Sequence, residues 1–266
     1  MSDPAKLLVK LGGTLLDAPE SRDRLAAQMA AAGARGARLV VVHGGGKQMT
    51  RYLAERGIES RFVNGLRVTT PETIDAVLKV FAGSVNHELV ASLNRAGARA
   101  VGLSGIDAFL AEAEQLDPAL GAVGRVTRSD AALLELLTAH QYLPVVACVA
   151  GDRRGQVYNV NADQMAVACA AAFGVCQLIF LTDVEGVLDQ SRQVRTVLTV
   201  AESERLIAEG VATGGMQAKL NAALAALRAG VAQVRIAPGA ADRVLERILA
   251  GEAIGTRMVL GEGRAA

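Results

Sequence analysis

The stretch Lys6-Leu7-Leu8-Val9-Lys10-Leu11-Gly12-Gly13-Thr14 constrains this chain more than any other. Leu7, Leu8 and Val9 form the apolar run of a parallel strand buried on both faces. A lysine inside a sheet is costly, so Lys10 belongs where the strand ends and a ligand crevice begins. Gly12 and Gly13 let the backbone approach a partner closely and aim its N–H groups at an anion. A cation and bare amides at one strand end suit a phosphate. A lysine snorkelling to water beside an ordinary Gly-Gly turn would leave the same letters, so this stretch alone keeps both readings open.

The arrangement recurs. Arg38–Val42 reads as a second buried strand, His43-Gly44-Gly45-Gly46 ends it, and a helix follows through about Arg56. Further strands are expected at Ala100–Leu103, Leu143–Val149, Leu178–Thr182, Val234–Ala237 and Arg257–Leu260. Helices are expected at about 20–34, from Thr70-Pro71 onward, from Ser129-Asp130 to about His140, up to Phe173, and at about 199–209, 216–229 and 241–250. Such alternation predicts an α/β fold, a three-layer αβα sandwich around a mostly parallel central sheet. Asn64-Gly65, inside the alternating run Ser60–Thr69, is a strong hairpin signal. Residues 108–128 are punctuated by glycine and read as a hairpin or flap. No linker, repeat or low-complexity segment divides the 266 residues. The expectation is therefore a single domain, 1–266, with an N-terminal lobe (about 1–175) and a C-terminal lobe (about 176–266) on one continuous sheet.

Composition removes several functional classes. A formal net charge of +1 gives no basic field for nucleic acid or an anionic membrane. With 3% aromatic residues and no Trp, there is no platform for stacking bases. Cys148, Cys169 and Cys176 lack CxxC spacing, and with the three histidines they make no zinc pattern. No apolar run approaches the length of a membrane-spanning helix, and Lys10 breaks the first one. A cytoplasmic protein is expected.

Familiar nucleotide motifs are missing: there is no GxxxxGK[ST] and no GxGxxG after the first strand. HGGG also occurs in esterase oxyanion holes, but no GxSxG accompanies it. What remains is two glycine clusters at strand ends, Lys10, and the distant Gly214-Gly215-Met216-Gln217-Ala218-Lys219. Phosphoryl transfer needs positioning and positive charge more than covalent help, and two lysines with backbone amides meet that need. KLGG, VVVHGGG, NGLRVT, AVGLSG, NVNAD, LTDVEGVL, GGMQAKL and GTRMV, in this order and spacing, resemble the N-acetylglutamate kinases of the amino-acid kinase family across nearly the whole chain.

The resemblance implies the following expectations. The γ-phosphoryl of ATP, accompanied by Mg²⁺ held mainly by phosphates and water, goes to the side-chain carboxylate of N-acetyl-L-glutamate, the second step of arginine synthesis. Lys10 and Lys219 flank the moving phosphoryl, and Asp163 organises both. Asp163 can also be read as a carboxylate favoured by the dipole of the helix it opens. Gly12, Gly13, Gly45 and Gly46 lend N–H groups to the phosphates and the reacting carboxylate. Arg67 and Asn159 hold the amino acid, with the hairpin around Asn64-Gly65 as a lid. Asp183, Gly186, Gly214 and Gly215 belong to the nucleotide side.

The chain departs from the family pattern in places. Gly105-Ile106-Asp107-Ala108 stands where glycine-lysine-aspartate-glycine is usual, His87 where lysine is common, and Gln217-Ala218 where isoleucine-proline is usual. N-Succinylglutamate, or N-acetyl-aminoadipate on a carrier protein, is therefore an alternative acceptor, and a catalytically silent sensor of the same fold is a further reading. Met1–Ala5 are too few for the helix that precedes the first strand in arginine-inhibited hexamers, so an arginine-insensitive homodimer is expected. Lys10→Ala is expected to abolish turnover while leaving folding nearly intact.

Overall fold

A computed structural model describes residues 4–261. Of the stretch Met1–Ala5 invoked above, Met1–Asp3 lie outside the described residues.

Burial places the first strand. In β1 (Lys6–Leu11) the residues Leu7, Leu8, Val9 and Leu11 are essentially inaccessible, so both faces are covered. α1 (Pro19–Ala34) opens with proline, whose missing N–H costs nothing at a helix start. It returns the chain to β2 (Arg38–His43), parallel to β1. α2 (Gly46–Ala54) follows the second glycine cluster. The Asn64-Gly65 hairpin forms as expected. β3 (Phe62–Val63) and β4 (Leu66–Arg67) pair antiparallel, and positive φ at Asn64 (49°) and Gly65 (77°) makes the turn whose twist suits a hairpin.

Thr70 caps α3 (Pro71–Val77) by accepting from Thr73 N. The long helix expected there is a composite: α3 passes into a π-helical turn, Leu78–Val85, and then into α4 (Asn86–Arg95). β5 (Ala100–Ser104) leads to the stretch read as a hairpin or flap. This is the hairpin of β6 (Ala111–Gln115) and β7 (Val123–Ser129). α5 (Ala132–Ala139) precedes β8 (Leu143–Ala147). The strand expected over Leu143–Val149 is in fact two, because the chain leaves the main sheet at Cys148 and continues as β9 (Val149–Gly151). β9, β10 (Val157–Val160), β7 and β6 close into a small four-stranded barrel.

α6 (Ala162–Phe173) packs on β1, and β11 (Gln177–Thr182) pairs with β1 on the side opposite β2. The chain ends with β12 (Val197–Thr199), α7 (Val200–Ala208), α8 (Gly214–Arg228), β13 (Gln233–Pro238), α9 (Val244–Leu249) and β14 (Thr256–Val259). The main sheet runs β12-β14-β13-β11-β1-β2-β8-β5. From β13 to β5 every pairing is parallel, and β14 turns antiparallel against β13. The chain places β2 on one side of β1 and β11 on the other. Strand order therefore reverses at β1, and a crevice opens at the carboxyl ends there. Among the described residues no helix is long and apolar enough to cross a membrane.

Two positions test the packing. Phe173 is fully buried, with Lys6 Nζ 4.9 Å and Arg38 Cζ 5.5 Å from its ring centre. Phe173→Ala should cost about 3–5 kcal/mol in urea unfolding. Ala108, at one of the departures noted above, sits at φ 50° and ψ 30°, left-handed space that strains a residue with a Cβ. Ala108→Gly should therefore raise the unfolding free energy by about 1 kcal/mol.

Candidate active site

At the end of β1 the Lys10 ammonium lies 2.6 Å from Asp163 Oδ1, and the two side chains are only 10% and 11% exposed. Asp163 reaches Lys10 from the first turn of α6. The helix is capped by Asn161, whose Oδ1 accepts from Asp163 N (2.9 Å) and Gln164 N (3.3 Å). The cap frees the Asp163 carboxylate to face the strand, while the positive end of the helix lies beneath it. Asp163 thus sits in the first turn of α6, as its helix-dipole reading requires, and pairs with Lys10, but among the described residues it makes no ion pair with Lys219. Cys148 lies beside this pair, and burial pushes its thiol up to about 12, so at neutral pH it is an uncharged packing group.

The two glycine clusters abut. A Cβ on Gly13 would sit 3.2 Å from Gly46 N and 3.5 Å from Gly45 N. Gln48 Nε2 donates across the junction to Gly13 O at 3.3 Å. The N–H groups of Gly13, Gly45 and Gly46 have no protein acceptor among the described residues. Those of Gly45 and Gly46 lie at the open N-terminal end of α2. Gly12 differs from the expectation. Its N–H donates to Leu181 O at 3.0 Å, tying the end of β1 to β11, and is not free for a ligand.

Arg67 is 8% exposed and leans on the same cluster. Its Nη2 donates to Gly46 O (3.2 Å) and Thr50 Oγ1 (2.8 Å), its Nη1 donates to Ser60 Oγ, and Cζ lies 4.6 Å from the Phe62 ring centre. Burial lowers the guanidinium from its ordinary value. Asn159, on β10, joins Arg67 through Thr69: Asn159 Nδ2 donates to Thr69 Oγ1 (3.1 Å), which donates to Arg67 O (2.9 Å). The Thr69 backbone also donates to Leu120 O and accepts from Ala122 N, so this buried residue fastens the hairpin to the barrel.

The remaining candidates sit on the β11 side. Asp183 is exposed just beyond β11 and accepts from Thr182 Oγ1 at 3.0 Å. Gly214 (φ 53°) and Gly215 open α8, and a Cβ at either would meet nothing within 4 Å, leaving bare backbone over open space. Lys219 is half-buried on α8, which packs on α6, and has no ion pair or hydrogen bond among the described residues. Gly186 has a packing reason for its identity: a Cβ would fall 2.9 Å from both Thr256 Oγ1 and Val194 Cγ1.

The structure thus joins Lys10 to Asp163, Gly13 to Gly45 and Gly46, Arg67 to Gly46, and Asn159 to Arg67. It leaves Lys219, Asp183, Gly186, Gly214 and Gly215 without a hydrogen bond to that group among the described residues. Thr69, Asn161 and Gln48 escaped the reading of the sequence. Each is a small polar residue inside or beside a motif, and only its partners distinguish it.

Three outcomes are expected from this geometry. Lys10→Ala leaves Asp163 buried without its cation, so it should lower stability on the order of 3 kcal/mol, contrary to the expectation of intact folding. Adding Asp163→Ala should recover part of that loss in a double-mutant cycle read by urea unfolding. Thr69→Val removes the acceptor of Asn159 Nδ2 and the donor to Arg67 O, so it should cost about 1–3 kcal/mol in urea unfolding, most of which Thr69→Ser should restore. Burial holds His43 at about 4 against 6.5 in the unfolded chain, so the unfolded state takes up the proton first. Stability from this group is complete above about pH 6.5 and is lost as pH falls toward 4, a slope on the order of 3 kcal/mol in all that His43→Asn should flatten.

The profile of the amino acid kinase family matches residues 5–238. The acetylglutamate kinase of Solibacter usitatus is 78% identical over 254 residues, 96% of this chain and 99% of that protein. The acetylglutamate kinase of Rhizobium johnstonii is 42% identical over 267 residues, 95% of this chain and 90% of that protein. Among solved structures, N-acetylglutamate synthase from Neisseria gonorrhoeae with coenzyme A and N-acetyl-glutamate superimposes with a TM-score of 0.87 at 25% identity, covering 97% of this chain and 60% of the synthase. Carbamate kinase from Giardia lamblia bound to AMP-PNP gives 0.74 at 16% identity over 98% of this chain and all of that one, a likeness of fold alone. The strand-end lysine, the abutting glycine loops and these matches agree: the chain belongs to the amino acid kinase family.

Proposed function

We propose that this chain transfers the γ-phosphoryl of ATP to the γ-carboxylate of N-acetyl-L-glutamate, giving N-acetyl-L-glutamyl 5-phosphate and ADP in arginine synthesis. The observation that carries the reading is the buried Lys10–Asp163 pair beside the free amides of Gly13, Gly45 and Gly46. The acetylglutamate kinases that match nearly end to end favour this acceptor over the succinyl and carrier-bound alternatives.

In this reading the reaction is a direct in-line transfer with no phospho-enzyme. A carboxylate acceptor is already ionised at neutral pH, so no general base is required and Asp163 is a positioning residue. It holds Lys10 against the negative charge that shifts between oxygens as the phosphoryl moves. A lysine about 4 Å from such an oxygen is worth on the order of 4 kcal/mol at an effective dielectric near 20, before desolvation. Lys219 supplies the second cation from α8. With no partner among the described residues, it has none there to give up when a phosphate arrives. Gly13 N–H faces the phosphates, and Gly45 and Gly46 N–H face the reacting carboxylate. Arg67 and Asn159 hold the α-carboxylate and its neighbours, with β3 and β4 as the lid that excludes water.

Asp183, Gly186, Gly214 and Gly215 form the nucleotide side. The N-terminal lobe, about 1–175, would thus take the amino acid and the C-terminal lobe, about 176–266, the ATP. Among the described residues no group of three His, Cys, Asp or Glu could cage a metal ion. Mg²⁺ would arrive with ATP and be held mainly by phosphates and water. A cytoplasmic homodimer completes the proposal. β5 is an edge of the main sheet, and its unpaired side is of the kind a second copy can cover.

ADP release from Mg²⁺-ATP over N-acetylglutamate, N-succinylglutamate, N-acetyl-aminoadipate, glutamate and aspartate tests the reaction. N-Acetylglutamate should be preferred by at least tenfold in kcat/KM. Preference for another acyl acid would move the pathway, and no turnover with any would favour the carrier-bound acceptor or the silent sensor. Lys219→Ala should lower kcat about 10²–10³-fold with little change in folding, since that side chain leaves no buried partner behind.

A further inference from the structure

We propose that His43, Asn86 and the π-helical turn Leu78–Val85 form a positioning device that aims the Gly45 N–H into the crevice; this deepens the reading above and rests on it. His43 ends β2 fully buried, and Asn86 opens α4 at 1% exposure. Asn86 Nδ2 lies 2.9 Å from Val145 O and 3.0 Å from His43 Nε2. His43 Nδ1 lies 2.9 Å from Gly44 O.

The proton positions follow from the partners. Val145 O can only accept, so the Asn86 amide nitrogen must face it. The second amide hydrogen then points at His43 Nε2, which must accept. The imidazole therefore carries its single proton on Nδ1 and donates it to Gly44 O. In a trans peptide the C=O and the following N–H point in opposite directions. Anchoring Gly44 O inward on His43 therefore turns Gly45 N–H outward, toward the face where Gly13 lies.

The π-helical turn closes the device from behind. Its i→i+5 bonding stacks residues five apart, whereas an α-helix would put them on different sides. Phe81 and Asn86 are such a pair, so one face presents both, with Val85 between them. A Cβ on Gly45 would fall 2.8 Å from Phe81 Cδ1 and 3.3 Å from Val85 Cγ2. The Phe81 ring and Val85 fill the space behind the Gly44–Gly45 peptide while the imidazole holds its oxygen. In an α-helix Phe81 and Val85 would still share a face, but Phe81 and Asn86, five apart, would not.

The test separates the hydrogen bond from bulk. Asn carries its amide nitrogen about where Nδ1 stands and can donate to Gly44 O, whereas Leu fills the space and cannot. His43→Leu should lower kcat about 10²–10³-fold with KM for ATP unchanged, and His43→Asn should keep kcat within about tenfold of the parent. Equal losses in two folded variants, or a His43→Leu kcat within threefold of the parent, would overturn the proposal. Should His43→Leu fail to fold, Asn86→Ser decides: a kcat loss of at least tenfold at constant KM for ATP supports the device, and a loss under threefold sinks it.

A parent without acceptor-dependent turnover would count against the reading of function, not against the device. The deciding measurement is then the Gly45 amide signal in ¹H–¹⁵N spectra on adding AMP-PNP with N-acetylglutamate. A shift in the parent and in His43→Asn that disappears in His43→Leu supports the device, or in Asn86→Ser if His43→Leu does not fold. No shift in the parent, or the same shift in every variant, overturns it.

Discussion

A cation at the end of the central strand cannot be left alone among apolar neighbours. Lys10 sits between strands that are buried on both sides, and its charge is tolerable there because Asp163 stands 2.6 Å away. Much of the N-terminal half can be read as the route that delivers this carboxylate. The chain leaves β8 at Cys148, crosses the barrel through β9 and β10, and reaches Asn161, which caps α6. The cap satisfies the Asp163 and Gln164 N–H groups, which leaves the Asp163 carboxylate for the lysine.

Around that pair the two glycine loops are neighbours because β1 and β2 are neighbours in the sheet, both ending at the same edge. Their roles differ by hydrogen bonding more than by composition. Gly12 closes the strand against Leu181, while Gly13, Gly45 and Gly46 keep their donors. Arg67 holds the Gly46 carbonyl, and Thr69 ties Arg67 to Asn159. Residues that a motif lists side by side are thereby divided into those that hold the crevice and those that face it.

Much of this was legible beforehand. The central strands are apolar runs interrupted inside only by Lys10 in β1 and Arg235 in β13, and Asn64-Gly65 admits few alternatives to a tight hairpin because both residues accept positive φ. The barrel was legible only as a hairpin at 108–128. β6 reads AEAEQ and β9 has three residues, so neither carries a strong strand signal, and the closure comes from pairings far apart in the chain. The π-helical turn was not legible at all, since Leu78–Val85 has an apolar pattern that suits an ordinary helix equally well. Asn161 was overlooked beside Asp163 because either letter can cap a helix.

The sequence by itself determined the class of fold, the central position of Lys6–Leu11, the strand-end glycine clusters and the family. These follow from local apolar runs, from glycine's backbone freedom and from motif order, all of which are properties of neighbouring letters. Only the tertiary structure decided that Asp163 pairs with Lys10, that Gly12 spends its N–H on β11, and that Thr69 joins Arg67 to Asn159. It also decided that Phe81 and Asn86 stand behind Gly45 and Gly44. Each of these is a contact between segments tens of residues apart or a choice among several available hydrogen-bond partners, and no local pattern encodes which partner wins.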